Sequence, residues 1–229
     1  MMTTDRIISF LEALRPNNNR EWFNDNKNLY EAAKSDFEAI CKQLVVEIGQ
    51  FDDDIKALNY KDCIFRIYKD TRFSHDKTPY KNHFGAFFAS GGGRKSERAG
   101  YYFHLEDGGS FLASGVWSPP PGLLKALRQS VYDNIDELNE IISEEQFHKH
   151  FPKFFDDDKL KTVPRGFPKE FHDAELLKLK HYMVEYRLTP ENLSSSSIAA
   201  DVAQIFSFAH PLNQFLNYTV DEFLSGNHI

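Results

Sequence analysis

Cysteine is scarce: the 229 residues contain only Cys41 and Cys63. That excludes a disulfide framework and a Cys-x-x-Cys redox or zinc motif, and it points to a reducing, cytoplasmic compartment. No run of about 18 apolar residues occurs, so no membrane-spanning helix is predicted. Residues 1–14 are polar and amphipathic, without the apolar core of a signal peptide. Basic charge is in deficit: 27 Lys and Arg against 34 Asp and Glu give a net charge of −7. This argues against the basic footprint of a general nucleic-acid binder. His-Glu-x-x-His, EF-hand and Gly-x-Ser-x-Gly signatures are missing as well. The glycine-rich stretch 91–96 departs from a phosphate loop, because Arg94 stands where Lys belongs. No cofactor and no metal ligand is therefore predicted.

What is present is ordinary for a globular protein, with 41% apolar and 27% charged residues. The 21 Phe and 10 Tyr predict a core built largely from rings. Apolar residues recur at helical spacing from Ile7 to Leu14, with Thr4 as N-cap and Pro16 as stop. They recur again from Trp22 to Ile48 through Leu29, Phe37, Ile40 and Leu44, broken by a shift near residues 25–27. Strand-like alternation follows over 63–69, 83–89, 101–107 and 110–117, with Gly108 and Gly109 as hairpin turn residues at positive φ. Helical spacing returns after Pro119-Pro120-Pro121, and 153–171 shows no readable period. One more strand is predicted over 181–188. Thr189-Pro190 opens a helix, and a final helical pair over 198–223 is predicted to break near Pro211. The expectation is a single α+β domain over 1–229. It has a helical part at about 4–54, a sheet-rich centre at about 62–118 and a helical part at about 120–225, the helices packing on a mostly antiparallel sheet.

The Gly-Gly hairpin sets a register in which Glu106 faces Phe111 and His104 faces Ala113. One face then carries Tyr101, Phe103, Leu105, Leu112 and Val116 and reads as core. The other carries Tyr102, His104 and Glu106 beside Ala113, Gly115 and Trp117. Small residues opposite a His and a Tyr predict open space, a pocket floor.

The chemically dense segment is central. From Lys61 to His104 nine Lys or Arg stand against four Asp or Glu, a local charge of +5 in a chain of −7. Guanidinium forks and ammonium groups suit carboxylate or phosphate, and His83 and His104 belong to the residue type that titrates near neutrality. The runs Arg66-Ile67-Tyr68-Lys69-Asp70-Thr71-Arg72-Phe73-Ser74, Asp76-Lys77-Thr78-Pro79-Tyr80-Lys81 and His83-Phe84-Gly85 resemble the signature of an uncharacterised bacterial family, the domain of unknown function 2461. Residues 100–106, Gly108-Gly109-Ser110-Phe111-Leu112 and Trp117-Ser118-Pro119 fit the same family. The resemblance covers nearly the whole chain and implies a shared fold; it carries no activity, cofactor or catalytic residue.

The functional expectation is a pocket on the polar sheet face for a small phosphate- or carboxylate-bearing ligand. Arg66, Arg72, Lys77 and Lys81 hold its charge, Tyr68, Tyr102, His83 and Trp117 line it, and His104 with Glu106 supplies an acid–base pair. Structural alternatives stand beside each assignment. Arg66 can pair with Asp70 or Glu106, Arg72, Lys77 and Lys81 can be solvated loop charges, and Trp117 can be packing. A second class of reading is a non-catalytic module that docks an acidic protein through the basic 66–81 segment. A third is nucleic-acid binding by the same segment.

Overall fold

The computed structural model describes residues 4–70, 72 and 76–226. Thr71, Phe73, Ser74 and His75 of the central motif lie outside the described residues. The helices are α1 (Asp5–Leu14), α2 (Arg20–Asp25), α3 (Lys27–Ile48), α4 (Tyr60–Cys63), α5 (Pro121–Asp133), α6 (Ile135–Ser143), α7 (Glu145–His150), α8 (Ala174–Leu177), α9 (Pro190–Ser194) and α10 (Ile198–Leu224). The strands are β1 (His83–Phe88), β2 (Gly100–Glu106), β3 (Phe111–Val116) and β4 (Tyr182–Arg187). They form one antiparallel sheet in the order β1-β2-β3-β4, so the fold is α+β. No helix is long and apolar enough to cross a membrane among the described residues.

The chain divides into two compact units. The first comprises Met1–Lys95, Tyr102–Leu112 and Arg187–Gln204. Its core is aromatic, as the composition predicts. Phe37 of α3 stacks on Phe103 at 5.7 Å and meets Phe84 at 5.3 Å, and Phe23 stacks on Tyr80 at 3.9 Å. Each buried ring of this kind contributes roughly 1.5–3 kcal/mol. The break between α2 and α3 falls at Asn26, where the periodicity shifts, and the Asn19 side chain caps α2 by accepting from the Trp22 amide. Thr4 stands at the start of α1, but its hydroxyl donates to the Leu193 carbonyl at 2.8 Å rather than capping the helix. Leu29 departs from the predicted stripe and is 44% exposed.

The second unit comprises Ser96–Tyr101, Ala113–Tyr186 and Ile205–Ile229. Here Tyr101 packs on Phe206 at 5.2 Å, and the Asn213 amide donates to the Gly100 carbonyl and the Ser114 hydroxyl. The predicted break at Pro211 does not occur: α10 runs through it as one helix. Its buried stripe, Leu212, Phe215, Leu216 and Val220, continues past the proline, so packing outweighs the one lost backbone hydrogen bond.

Two further expectations are corrected. Residues 63–69 do not form a strand. Cys63 ends α4, and the segment then meets its neighbour only through isolated bridges, Ile64 to Ala86 and Tyr68 to Tyr80. The hairpin turn is also displaced by one residue. The Gly109 amide donates to the Glu106 carbonyl at 3.2 Å, which makes Asp107 and Gly108 the central pair, and only Gly108 of the two glycines has a positive φ, +68°. The Ser110 hydroxyl closes the loop on the Glu106 backbone, accepting from its amide and donating to its carbonyl.

Candidate functional site

Two features of the first unit bring the chemically suggestive residues together. The first is a cleft of about 810 Å³. Asn59 caps α4 by accepting from the Lys61 amide, and Lys61 lines the cleft. The Arg94 guanidinium donates to the carbonyls of Lys61 and Asp62 at 3.1 and 2.7 Å and fastens the 93–95 turn onto α4. Gly93 permits this closeness: its φ is +59°, and a Cβ there would lie 2.8 Å from the Asp62 carbonyl oxygen. The backbone of 65–67 is pinned by Phe65 N–H donating to Gly85 O and by Lys81 N–H donating to Ile67 O. Six cations line the resulting space, Lys34, Lys61, Arg66, Lys81, Arg94 and Lys95, against one carboxylate, Glu38.

Among the described residues, Lys34 is the one of the six that forms an ion pair. Lys34 lies 3.8 Å from Glu38, whereas Arg66 and Lys81 form no ion pair with a described residue. Lys81 is half-buried, and its pKa is lowered first by burial and then by the neighbouring charge of Arg66. Its ammonium sits 5.4 Å from the centroid of the Phe65 ring, a cation–π contact that compensates in part.

The second feature lies beyond Phe65, whose ring meets Tyr102 edge-on at 6.1 Å. Here His83 of β1 and Tyr102, His104 and Glu106 of β2 converge. The Tyr102 hydroxyl lies 3.0 Å from His104 Nδ1, and His104 Nε2 lies 3.2 Å from a Glu106 carboxylate oxygen. Phe111 stacks on the His104 ring at 4.5 Å, and the His83 ring lies 4.3 Å away on another side. Burial pushes the pKa of His104 down to about 4, assisted by the positive charge of Arg187. His83 falls to about 4 through burial, then through His104 and Lys81. Both imidazoles are therefore uncharged at neutral pH. A carboxylate only accepts, so His104 carries its proton on Nε2 and accepts from the Tyr102 hydroxyl at Nδ1. Burial and the Glu106 charge raise Tyr102 to about 12, so the phenol keeps its proton.

The expected residues therefore separate. Arg66 and Lys81 line the cleft, and His83, Tyr102, His104 and Glu106 form the adjoining cluster. Arg72 instead pairs locally with Asp70 through two hydrogen bonds of 3.0 and 2.6 Å, fully at the surface. Lys77 is exposed. Tyr68 is 50% exposed and packs on Tyr80 at 5.5 Å. Trp117 belongs to the second unit, 58% exposed and stacked on His181 at 4.0 Å. The open space expected beside Gly115 is also filled, since a Cβ there would lie 2.0 Å from the Tyr182 carbonyl oxygen. Residue-by-residue reading did not single out Lys34, Lys61, Arg94 and Lys95, which also line the cleft. Three of them were visible as local basic charge, but Lys34 sits on the polar side of α3 with no signal to set it apart.

A family model described as Conserved hypothetical protein (DUF2461) matches residues 6–215. No curated protein and no solved structure matches the chain.

Proposed function

We propose, for a chain that belongs to the conserved hypothetical family DUF2461, that the cleft of the first unit binds a small anionic ligand bearing phosphate or carboxylate groups. The carrying observation is the charge of the cleft: six cations face one carboxylate, with Arg66 and Lys81 close enough to disturb each other and ion-paired to no acid among the described residues. An anion between them would exchange repulsion for two charge-assisted contacts, and the Arg66 fork suits a bidentate oxyanion. The two free and buried cysteines support the cytoplasm as its compartment.

The docking-module reading has less support. Within 66–81, Lys69 pairs with Asp76 at 2.6 Å and Arg72 with Asp70, which spends the charge that an acidic partner would meet. Nucleic-acid binding has the net charge of −7 against it. An acid–base role for His104 in ligand turnover is also weakly supported, since His104 is 6% exposed and both ring nitrogens are engaged.

The test is thermal unfolding with inorganic phosphate, sugar phosphates, nucleotides and small dicarboxylates, on the wild type and on Arg66→Gln. A ligand at about a hundred times its dissociation constant adds roughly 2.7 kcal/mol, or roughly 5–10 °C at this size. A shift present in the wild type and absent in Arg66→Gln supports the reading; no shift across the panel rejects it.

A further inference from the structure

We infer that His83, His104 and Glu106 form a binding site for one divalent first-row transition-metal ion. One ligand atom from each, two imidazole nitrogens and a carboxylate oxygen, lies within 4.8 Å of the others. Donors held about 2.0–2.2 Å from a common ion stand roughly 3–3.5 Å apart, and His104 Nε2 and the Glu106 oxygen are already 3.2 Å apart. Small adjustments of side-chain torsions bring in the third donor, because His83 and His104 lie on adjacent strands with rings 4.3 Å apart.

Three observations separate this group from an ordinary polar cluster. His83 is half-buried yet makes no hydrogen bond to a described residue, so its ring nitrogens are left for another partner. His104 has the outer support that metal-ligating histidines carry. When Nε2 takes the ion, its proton moves to Nδ1, and the Tyr102 oxygen 3.0 Å away accepts from it. The His104 ring is also held in plane by Phe111, stacked at 4.5 Å and 24°, so the ligand is oriented before the ion arrives.

Two imidazoles and a carboxylate suit zinc, iron(II), cobalt(II) or manganese(II) and disfavour calcium and magnesium, which take oxygen donors. Three protein ligands leave at least one position for water or a substrate atom. His83 and Glu106 are both only half-buried, so that position faces the accessible side. The inference does not rest on the anion cleft.

Cobalt(II) titrated into chelator-treated full-length protein tests it, read by visible absorption and calorimetry, with zinc as competitor. The expected result is one equivalent bound, with the intense visible bands of low-coordinate cobalt(II), displaced by zinc. His83→Gln and Glu106→Gln change half-buried side chains, and each should retain the fold by circular dichroism while losing that equivalent. Tyr102→Phe should weaken binding by roughly 10–100-fold. Arg66→Gln should leave the cobalt signal unchanged, so failure of the anion reading and failure of this one are distinguishable. No binding at micromolar cobalt(II), or one equivalent retained in both His83→Gln and Glu106→Gln, overturns the site. Loss of the signal in His148→Ala/His150→Ala instead would move the metal elsewhere and overturn it too.

Discussion

Gly85 and Tyr102 fit each other across adjacent strands: a Cβ on Gly85 would lie 2.7 Å from the Tyr102 hydroxyl oxygen and 3.2 Å from its ring. The glycine is there for space, since β1 needs no special backbone conformation at that position. Tyr102 sits in that space and reaches His104. Gly85→Ala is expected to displace the ring, break the hydrogen bond to His104 Nδ1 and cost about 1–3 kcal/mol, the usual range for overpacking. Removing the hydroxyl should relieve the closest clash. In a double-mutant cycle by urea unfolding, Gly85→Ala/Tyr102→Phe should be less destabilised than the two single changes together. Strict additivity would reject the steric account.

His83 and His104 make stability depend on pH with a definite sign. Both have folded-state pKa values lowered to about 4, against an ordinary value near 6.5. Between these limits the unfolded chain binds more protons than the folded one, so stability is complete above about pH 6.5 and declines as pH falls toward 4. The decline is at most about 1.4 kcal/mol per pH unit for each histidine. Unfolding free energies at pH 5 and pH 7 check this. His83→Gln should show a smaller difference between the two than the wild type, and an unchanged difference would remove His83 from the explanation.

Legibility in the sequence followed the length of the pattern. The long stripe of α3 is readable because burial repeats several times at the helical period. The strands at 83–88, 100–106, 111–116 and 182–187 are readable as short runs rich in aromatic and apolar residues. Residues 63–69 also alternate, with Ile67 buried and Arg66 and Tyr68 exposed, yet they form no strand. Alternation reports which side is covered and says nothing of whether a partner strand completes the ladder. The candidate site divides in the same way. Spacing of two along β2 places Tyr102, His104 and Glu106 on one side, as read from the sequence. The convergence of His83 with them depends on which strand lies next door, and a motif search along one chain segment does not reach it. Lys34 enters the cleft from α3 for the same reason.

Gly115 shows where local reading misled. Opposite a tyrosine, a glycine looks like an opening, but here φ is +119° and a Cβ would lie 2.0 Å from the Tyr182 carbonyl oxygen and 3.0 Å from Met183 Cα. The neighbouring backbone occupies the space, and backbone in a sheet does not swing aside as a side-chain tip does. Gly115→Ala is therefore expected to be among the most destabilising single changes in the chain, above about 4 kcal/mol, combining backbone strain with a main-chain clash. The check is expression in the soluble fraction and a thermal unfolding scan. Soluble protein with a midpoint within a few degrees of the wild type would contradict the packing described.

Arg66 and Arg72 lie six residues apart and are expected to behave differently. Arg72 is fully exposed and bonded to Asp70 two residues away. Such a pair is screened by water, so Arg72→Ala should leave the thermal midpoint near that of the wild type and any anion-induced thermal shift intact. Arg66 is exposed too, but it faces Lys81 in the cleft, lowers the pKa of that lysine and forms no ion pair with a described residue. Arg66→Gln should leave the ligand-free protein as stable as the wild type or slightly more so, because the change removes a repulsion, while it abolishes the anion shift. Thermal scans of the two variants with and without inorganic phosphate or the best ligand of the panel separate the cases. If Arg72→Ala loses the shift and Arg66→Gln keeps it, the ligand sits on the 66–81 loop and not in the cleft, because the two guanidinium groups differ chiefly in which of them already has a carboxylate.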